Sequence, residues 1–577
     1  MMHDACDLSD GETLSTDLCI VGAGAAGISM ALEFIDSGIE VLLLESGGVA
    51  LEKDTQALYS GAVADQRLHS PPDRYRQRCF GGSTTIWGGR CVPFDAIDFE
   101  TRDYVAQSGW PFGHEELMPY YVRANRLCEA GEFAYTDVEA FAAPRRTMIK
   151  GFHSASFSSN TLERFSCPTD FGARYAHRLR AASKMRVLLH ANVTELKINT
   201  AGNAIDTLKV CTLTGKSFKV RAKQVVVAAG GLEVARLLLA NRDVHRNGIG
   251  NDHDVVGRYY MCHVAGTIGA LTIASTADAV WHGYDISDEG VYCRRRLALT
   301  PEAQRTLRIG NFIARLHHPR IADPAHRTGI LSLLYLARRF IPYEYAKRLD
   351  EGKATDPRLW LQHLCNVIGD PFATLAFVWH LMRDRKFAER KFPSLIVAPK
   401  NNCYSLDFHA EQQPNPASRV TLGHEQDALG QPRLRIDWRY TRQDVETVQR
   451  ALALFAREIE RSRVGRFQYN PQTVETEMTR YGAYGGHHIG TARMGSDPHV
   501  SVTDANGRVH GVDNLFVAGA ALFPTSSQAN PTLTIVALAL RMADHLKQLQ
   551  AREAVVVQQQ PIAQPPASMP IPIRAAA

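Results

Sequence analysis

The first fifty residues alternate between short apolar runs and a glycine-rich turn. Residues 17–21 form an apolar run long enough for one buried strand, and residues 40–44 form a second. Between them, apolar residues recur at helical spacing over 28–35 until Gly38 ends the pattern. This pattern predicts a strand, a helix and a second strand, which is how an α/β sheet begins.

The middle of the chain contains two apolar runs, each followed by basic residues. They are GILSLLYLARRF and FATLAFVWHLMRDRKFAERK, both within residues 329–391. Helices of this kind could lie on a membrane surface, or form a lid that admits a lipophilic substrate. Amphipathic helices packed against the core or against another subunit produce the same pattern, and that is the more common use of an apolar helix face.

The remaining patterns are shorter. Residues 418–422 and 433–438, with Gly430 between them, indicate two strands around a turn. The basic run 294–296 is typical of a solvated surface. From about residue 558 the chain is rich in proline and glutamine and has few charges, so burial cannot offset the entropy of ordering it. We therefore predict a disordered tail.

Composition places the chain among ordinary globular proteins. It has 577 residues, of which 45% are hydrophobic and 22% charged, and these values exclude disordered, collagen-like and fibrous classes. The length argues for at least two domains. A net charge of +5, spread along the whole chain, predicts no nucleic-acid partner. Because no run reaches 18 apolar residues, no membrane-spanning helix is predicted.

The cysteines and the N-terminus indicate a reducing compartment. The eleven cysteines are odd in number and contain no C-x-x-C pair, which excludes the usual patterns of disulfide frameworks and of zinc or iron–sulfur sites. Residues 1–16 form a polar, acidic leader without the features of a signal peptide. His317, His318, Asp323 and His326 lack regular ligand spacing, so no metal is predicted. We expect a cytoplasmic protein.

The turn after the first predicted strand carries a G-x-G-x-x-G fingerprint. It consists of Gly22, Ala23, Gly24, Ala25, Ala26 and Gly27. Gly22 permits the tight turn, Gly24 lets a pyrophosphate approach the backbone, and Gly27 brings the helix close to the strand. Glu45, at the end of the second strand, can accept hydrogen bonds from ribose hydroxyls. The complete context predicts a dinucleotide site, which NAD or FAD could occupy.

Further blocks extend this fingerprint into a family resemblance. They are RCFGGSTTIWGG at 78–89, VVVAAGGLE at 225–233, GGHHIGTARMG at 485–495, DNLFVAG at 513–519 and ANPTLT at 529–534. In this order they resemble the glucose–methanol–choline (GMC) oxidoreductases, and they are nearest to pyranose oxidases and to bacterial sugar and polyol dehydrogenase flavoprotein subunits. The resemblance implies FAD as cofactor and an alcohol as small-molecule substrate.

The resemblance also implies an architecture. The expected fold is α/β, with a Rossmann-like FAD-binding domain and an α+β substrate domain built on an antiparallel sheet. The FAD-binding domain is discontinuous and comprises residues 17–100, 185–265 and 481–550. The substrate domain comprises residues 101–184 and 266–480, and residues 551–577 form the disordered tail.

The same resemblance assigns roles to individual residues. His487 matches the catalytic histidine, and a histidine can take a hydroxyl proton because its pKa lies near working pH. Asn530 matches the position that holds the substrate hydroxyl. His488, which is offset by one residue, is expected to be structural. The implied cofactor contacts outside the fingerprint are Gly81, Gly82, Ser83, Val193 (at the adenine), Gly519, Pro531 and Thr532.

One position departs from the pyranose oxidase pattern. Those enzymes carry a histidine that bonds covalently to FAD in an S-T-H-W segment, where this chain has Ile86. Isoleucine cannot form that bond, so FAD is predicted to be non-covalent.

The last strong pattern begins directly after Asn530 and Pro531. Residues 532–548 combine strong helix formers with apolar positions, which predicts a buried helix with Asn530 as N-cap and Pro531 in the first turn. A buried helix N-terminus presents unpaired N–H groups and partial positive charge. Next to a flavin, it would stabilise the negative charge that collects on reduction.

Together these features predict an FAD-dependent alcohol oxidoreductase that transfers hydride from a CH–OH carbon to flavin N5. A sugar, polyol or sugar-like substrate follows from the resemblance. The apolar middle segment leaves open a lipophilic alcohol at a membrane surface, and a catalytically silent flavoprotein subunit is a further alternative. The electron acceptor is open among oxygen, a quinone and an electron-transfer protein, and the oligomeric state is not predicted.

Overall fold

The computed structural model describes residues 1–559, except 144, 276–278, 341–355, 395, 398, 400 and 401. In this part of the chain, two large β-sheets carry most of the hydrophobic core. One is mainly parallel and the other is antiparallel. The predicted combination of an α/β unit with an antiparallel unit is therefore confirmed.

The parallel sheet is built from the N-terminal strands and from later parts of the chain. In spatial order its strands are Met2–Asp4, Met185–Leu189, Val41–Leu44, Thr13–Val21, Ser217–Val227, Ile205–Cys211 and Asn192–Ile198, and Leu515–Val517 pairs with Ser217–Val227. The ends of Thr13–Val21 and Val41–Leu44 are buried without alternation, as expected for strands covered on both faces. Helix Ala25–Leu32 follows the glycine turn and covers one face.

The N-terminal residues differ from the predicted leader. The first central strand begins at Thr13, four residues before the apolar run, because its outer half is an ordinary half-exposed strand. Met2–Asp4 forms the edge strand of the same sheet, where Met2 pairs with Val187. Residues 2–4 and 13–16 are thus part of the sheet.

The antiparallel sheet forms the second core. In spatial order its strands are Gly465–Gln468, Met261–Ile273, Cys403–Ala410, Phe312–His317, Leu297–Leu299 and Phe157–Ser158, and Tyr484–Ile489 pairs with Met261–Ile273. Helix Arg442–Arg461 packs on it through one apolar face. Thr441 and Asp444 cap this helix reciprocally, which fixes where it begins.

Two smaller sheets complete the β structure of the described residues. One has the strands Tyr284–Ile286, Tyr292–Arg295, Leu162–Phe165 and Arg90–Cys91. The other joins Gly61–Val63 to the predicted hairpin, whose strands are Arg419–Gln426 and Pro432–Asp437. The remaining α-helices are Lys53–Ala57, Ala96–Phe99, His114–Leu127, Asp137–Ala140, Phe171–Ala181, Gly231–Ala240, Pro301–Leu307, Gly329–Leu336, Pro357–Gly369, Pro371–Leu381, Val474–Thr479 and Thr532–Gln559.

The cores do not follow the predicted domain boundaries. Helices His114–Leu127 and Phe171–Ala181 come from the segment assigned to the substrate domain, yet they pack into the core of the parallel sheet. The hairpin does the same through Val420 and Ile436. An amphipathic element buries its apolar face against whichever surface lies nearest in space, and chain order does not reveal that surface.

The basic run 294–296 is also placed differently. All three arginines are buried rather than solvated. Arg294 donates to the Leu316 carbonyl, Arg295 pairs with Asp137, and Arg296 donates to the side chain of Gln528. Residues distant in sequence satisfy these cations, so a charge run alone could not indicate their burial.

The last helix, Thr532–Gln559, begins one residue later than predicted. The carbonyl of Pro531 accepts its first hydrogen bond, from Ile535 N at 2.8 Å. Asn530 therefore lies outside the capping position, and its side chain turns toward His487. The helix also continues past residue 551 into the predicted tail, of which residues 560–577 lie outside the described residues.

No single helix in the described ranges has both the length and the apolar character that crossing a membrane requires. Pro357–Gly369 and Pro371–Lys386 meet that requirement only as a pair, and the chain bends by 86° between them.

A buried ion pair joins the two cores. Arg102 donates two hydrogen bonds to Glu411, at 2.8 and 2.6 Å, and both side chains are buried. The carboxylate of Glu411 also accepts from the backbone N–H of Asn311 at 2.9 Å. Removing one member of such a pair leaves a buried charge without its partner.

We therefore expect Arg102→Ala to lower the free energy of unfolding by about 3–5 kcal/mol. Chemical denaturation of the apoprotein, followed by far-UV circular dichroism, measures this loss. Arg67→Ala is the matched control, because Arg67 forms an exposed pair with Asp65 and should leave stability almost unchanged. Equal effects of the two substitutions would show that the Arg102–Glu411 pair does not stabilise the contact between the two cores.

Candidate active site

A cavity of about 1010 Å³ opens where the strands of the parallel sheet end. Gly22, Glu45, Ala228 and Ala518 each follow a parallel strand directly, and all four line the cavity. In open α/β sheets, ligands bind at the carboxyl ends of the strands. The cavity therefore lies where the sequence predicts a dinucleotide.

Most of the predicted site residues come together in its wall. The lining includes Gly22, Gly24, Ala25, Ala26, Glu45, Gly82, Ser83, Val193, His487, Gly519, Asn530, Pro531 and Thr532. Gly27 and Gly81 lie behind this surface. A Cβ at Gly27 would overlap the carbonyl oxygen of Gly22, and one at Gly81 would lie 2.8 Å from Asp170 Oδ1. These two glycines permit close packing of the loops.

The two glycine-rich loops hold each other in place. The backbone N–H of Gly81 donates to the Ala23 carbonyl at 2.9 Å. Gly82 approaches Gly24 so closely that an added Cβ would lie 3.0 Å from Gly24 Cα. One rigid backbone surface results from segments about sixty residues apart in sequence.

The cavity wall is shaped for an elongated ligand that touches the backbone. At Gly24, Gly230 and Gly519, an added Cβ would meet no protein atom within 4 Å and would enter the cavity instead. Side chains at these positions would fill the space that a dinucleotide requires. The residues present therefore fit FAD.

Glu45 is held rigidly at the end of its strand. Its carboxylate accepts from the backbone N–H groups of Ala23 and Gly47, each at 2.9 Å. Burial raises the pKa of Glu45, against the lowering effect of these two donors. A carboxylate fixed in this way can accept further hydrogen bonds from ligand hydroxyls.

A cationic cluster that the sequence analysis missed lies on the same wall. Arg76 and Arg78 each donate to Glu233 at 3.0 Å, and Arg236 donates to it at 3.3 Å. Burial raises the pKa of Glu233, but these three arginines outweigh it and lower the pKa to about 2. Arg78 keeps its Nε buried without a hydrogen-bond partner beside the cavity. The excess positive charge suits an anionic cofactor.

His487 and Asn530 are adjacent. The side-chain amide of Asn530 donates to His487 Nε2 at 3.2 Å, and both residues line the cavity. His487 lies on strand Tyr484–Ile489, and Asn530 directly precedes Pro531 and the last helix. The predicted pair is therefore assembled from two separate elements.

A second histidine, which the sequence analysis did not single out, orients His487. His263 Nε2 lies 3.2 Å from the Ser526 carbonyl, so this nitrogen carries the proton and donates. Its Nδ1 is 2.7 Å from His487 Nδ1 and must act as the acceptor. His487 is then protonated at Nδ1 and presents the lone pair of Nε2 to Asn530 and the cavity.

Burial favours the neutral form of both histidines. Burial lowers the pKa of His263 to about 4. Burial is also the main cause that holds the pKa of His487 well below its ordinary value, and Arg90 acts in the same direction. Low pKa values keep the lone pair of His487 available to accept a proton.

His488 belongs to a separate buried network. Its Nδ1 is 2.6 Å from the Tyr260 hydroxyl, which lies 2.8 Å from His69 Nε2 and within reach of the Cys262 thiol. His69, Cys262 and His488 bring ligand atoms close enough for a metal ion, but the Tyr260 hydroxyl contacts all three and occupies the centre. This supports a structural role for His488.

Polar side chains also line the cavity. They include Arg90, Thr267, His317, His318 and His409. His317 and His318, which were considered as metal ligands from the sequence, thus line the cavity. The other candidates, Asp323 and His326, accept from nearby backbone N–H groups instead.

Apolar helices cover the other side of the cavity. We call the described residues 329–340 and 356–394 the roof segment, and Leu334, Phe377, Leu381 and Phe392 are its apolar side chains at the cavity. The roof segment thus packs on the body of the protein through one face. Its other face is exposed.

Two glycine substitutions should separate ligand contact from packing. Gly24→Ala adds a methyl group to empty cavity space, so the apoprotein should keep its thermal stability while FAD retention falls at least tenfold. Gly27→Ala creates an overlap inside the fold and should lower the melting temperature of the apoprotein itself. Flavin content and apoprotein melting curves test both. Undiminished FAD affinity in Gly24→Ala would show that FAD does not contact the backbone at Gly24.

Comparison with known proteins agrees with this geometry. The family model described as FAD dependent oxidoreductase matches residues 17–359, and the one described as GMC oxidoreductase matches residues 414–539. The fructose dehydrogenase large subunit of Gluconobacter japonicus is 26% identical over 92% of this chain and 98% of its own length. Paromamine 6'-oxidase of Streptomyces fradiae is 23% identical over 94% of this chain and 93% of its own length.

Among solved structures, pyridoxine 4-oxidase from Mesorbium loti superposes with a TM-score of 0.54 at 20% identity, covering 92% of this chain and 99% of that one. This similarity supports the fold. The FAD model extends over more than half of the 577 residues, and the GMC model covers the block that carries His487 and Asn530. The chain therefore belongs to the FAD-dependent oxidoreductases, and its residues 414–539 match the GMC oxidoreductases.

Proposed function

We propose that this enzyme oxidises a CH–OH group of a sugar, a polyol or a sugar-like ring. The observation that carries the proposal is the Asn530–His487 pair, in which an uncharged imidazole presents Nε2 at the cavity wall beside an amide donor. Relatives along almost the whole chain support the substrate class by their names, since they include a fructose dehydrogenase subunit and a propanediol dehydrogenase.

When bound, FAD supplies the two-electron acceptor for the hydride that leaves the alcohol carbon. The Gly24 loop, Glu45 and the arginines around Glu233 would hold its dinucleotide part. Thr532, in the first turn of the last helix, lines the cavity, so the positive end of that helix faces the cofactor space. Ile86 also lines the cavity, and an isoleucine at this position supports non-covalent binding.

The protein's own contribution is to remove and hold a proton. His487 Nε2 accepts the hydroxyl proton, and the imidazolium that forms keeps its Nδ1–H bond to His263. The amide N–H of Asn530, now released from Nε2, can donate to the developing alkoxide oxygen. His263 stays neutral and fixes the direction of the His487 ring, because its own proton is committed to Ser526.

The polar wall supports a substrate with several hydroxyl groups. Arg90, Thr267 and His409 offer donors and acceptors in the cavity wall, and Arg90 lies near enough to His487 to affect its pKa. Each further hydroxyl group of the substrate can form a hydrogen bond with such a wall. The apolar inner face of the roof segment favours a second candidate, a lipophilic alcohol, and a substrate panel distinguishes the two.

We propose a reducing, cytoplasmic location for the enzyme. All eleven cysteines are free thiols in the structure; six of them are buried, four are partly buried and one is exposed. Oxygen, a quinone or an electron-transfer protein could each reoxidise the reduced cofactor.

Replacing the base tests the function directly. His487→Ala should retain FAD but reduce the rate of anaerobic flavin bleaching by sugars and polyols by about 10²–10⁴-fold. Stopped-flow absorbance measures this rate, and the exposed His499→Ala serves as control. Bleaching of the variant at the parent rate would show that His487 is not the base. Failure of every alcohol to bleach the parent would favour a catalytically silent flavoprotein.

The positioning role of His263 predicts a change in pH dependence. Protonated His487 has no lone pair, so activity is lost as pH falls through its pKa, and the acid limb of kcat/KM should lie below pH 6.5 in the parent. His263→Leu should lower kcat/KM by about 10²-fold because the ring loses its orientation. The same change should move the acid limb further down, because the protonated ring of His487 loses the acceptor of its Nδ1–H.

His263→Asn is the conservative comparison, because its side-chain oxygen can still accept a hydrogen bond. It should recover part of the lost activity. An acid limb above pH 6.5 in the parent, or equal activity of both variants and the parent, would contradict the positioning role.

A further inference from the structure

The outer surface of the roof segment is apolar and exposed. Phe372, Leu375 and Trp379 recur at intervals of three and four residues on helix Pro371–Leu381, and their exposed fractions are 87, 67 and 67%. Helical residues at this spacing share one side. Ile368, near the end of the preceding helix, is 68% exposed. Exposed apolar patches of this kind are uncommon on soluble proteins and mark interaction sites.

The inner surface of the same helices carries polar contacts. His363 is buried and lies 2.9 Å from Ser332 Oγ, and Asn366 donates to Ser332 Oγ and to the Pro324 carbonyl. Thr374 is also buried and donates to the Asp370 carbonyl. A helix on a water-soluble body normally buries its apolar side and exposes its polar side. Here large apolar side chains face outward although polar groups are available to do so.

The outer face of the roof segment also has few charged residues, and basic residues follow it along the chain. Between Ile368 and Leu381 the only acidic residue is Asp370, whose carboxylate points inward to the N–H of Gly329 at 3.4 Å. Residues 382–391 follow at once and contain five basic and two acidic residues. Lys386 and Lys391 are exposed, and so is Phe387 between them. An uncharged apolar face with a basic margin complements an anionic surface that has an apolar interior.

The segment is fixed firmly enough to present this face. Arg385 donates to the carbonyls of Phe392 and Pro393, and Arg390 donates to those of Phe165 and Glu129. Because of the 86° bend, the helix pair does not form one straight span, and lying in a surface is one way for such a pair to bury its apolar side. Trp379 suits that location, since tryptophan is enriched at the boundary between lipid and water.

We propose that the outer face of the roof segment docks on an anionic phospholipid bilayer. Phe372, Leu375 and Trp379 enter the boundary between headgroups and acyl chains, and Lys386 and Lys391 contact the headgroups. The inner face of the roof lines the catalytic cavity, so docking brings the cavity close to the lipid phase. The proposal goes beyond the chemistry proposed above, and its test requires no turnover.

Vesicle co-sedimentation of the FAD-loaded enzyme tests it. The protein should sediment with vesicles of phosphatidylcholine and phosphatidylglycerol, and at least tenfold less with phosphatidylcholine alone. Replacing the three outward residues (Phe372→Gln, Leu375→Gln and Trp379→Gln) should reduce binding at least tenfold. The matched control replaces Val49, Leu51 and Val138, which are exposed apolar residues elsewhere, by glutamine and should bind like the parent.

A charge variant tests the basic margin separately. Lys386→Glu with Lys391→Glu should lose binding to the anionic vesicles and make the remaining binding insensitive to salt. An unchanged flavin spectrum in every variant verifies that the fold is intact. Failure of the parent to sediment, or equal sedimentation of the glutamine variant and the parent, overturns the proposal. A parent that is dimeric by light scattering, does not bind vesicles and becomes monomeric in the glutamine variant would instead show that this face joins two copies of the chain.

Discussion

A neutral imidazole has one N–H and one lone pair, and this constraint determines the chemistry of the site. The Ser526 carbonyl can only accept, so it assigns the proton of His263 to Nε2. The lone pair on His263 Nδ1 then assigns the proton of His487 to Nδ1. A backbone carbonyl thus determines, through two rings, that His487 offers a lone pair rather than a proton at the cavity wall.

The packing of the two large sheets brings these groups to one place. His263 lies on a central strand of the antiparallel sheet, and the strand that carries His487 pairs with it. Ser526 and Asn530 come from the segment before the last helix, which packs in the core of the parallel sheet. His487 and Asn530 therefore meet at the junction of the two sheets, and the strand ends of the parallel sheet line the same cavity.

Site residues that stand in a local motif could be identified from the sequence. The glycine turn with Glu45 is local, and His487 and Asn530 could be assigned because they stand in blocks that resemble the GMC family. His263 could not be found in this way, because its partner His487 is 224 residues distant. Arg78 and Glu233, separated by 155 residues, were missed for the same reason.

Where the structure departs from the sequence-based expectations, tertiary contacts override local pattern. Asn530 has the residue type of an N-cap, yet the helix begins after Pro531 and the side chain binds His487 instead. Helix His114–Leu127, predicted to belong to the substrate domain, packs in the core of the parallel sheet, because its pattern alone does not show which sheet it covers. In the roof segment, pattern indicated two apolar helices, but only the structure shows which side each helix exposes.

The most direct test of this account is the protonation state of His487 in the FAD-loaded enzyme. Nitrogen-15 NMR of enzyme labelled only at histidine distinguishes a protonated nitrogen from one with a lone pair, and comparison with His487→Ala assigns the signals. At pH 7 we expect a neutral ring with the proton on Nδ1 and the lone pair on Nε2. An imidazolium at this pH, or a neutral ring with the proton on Nε2, would contradict the account.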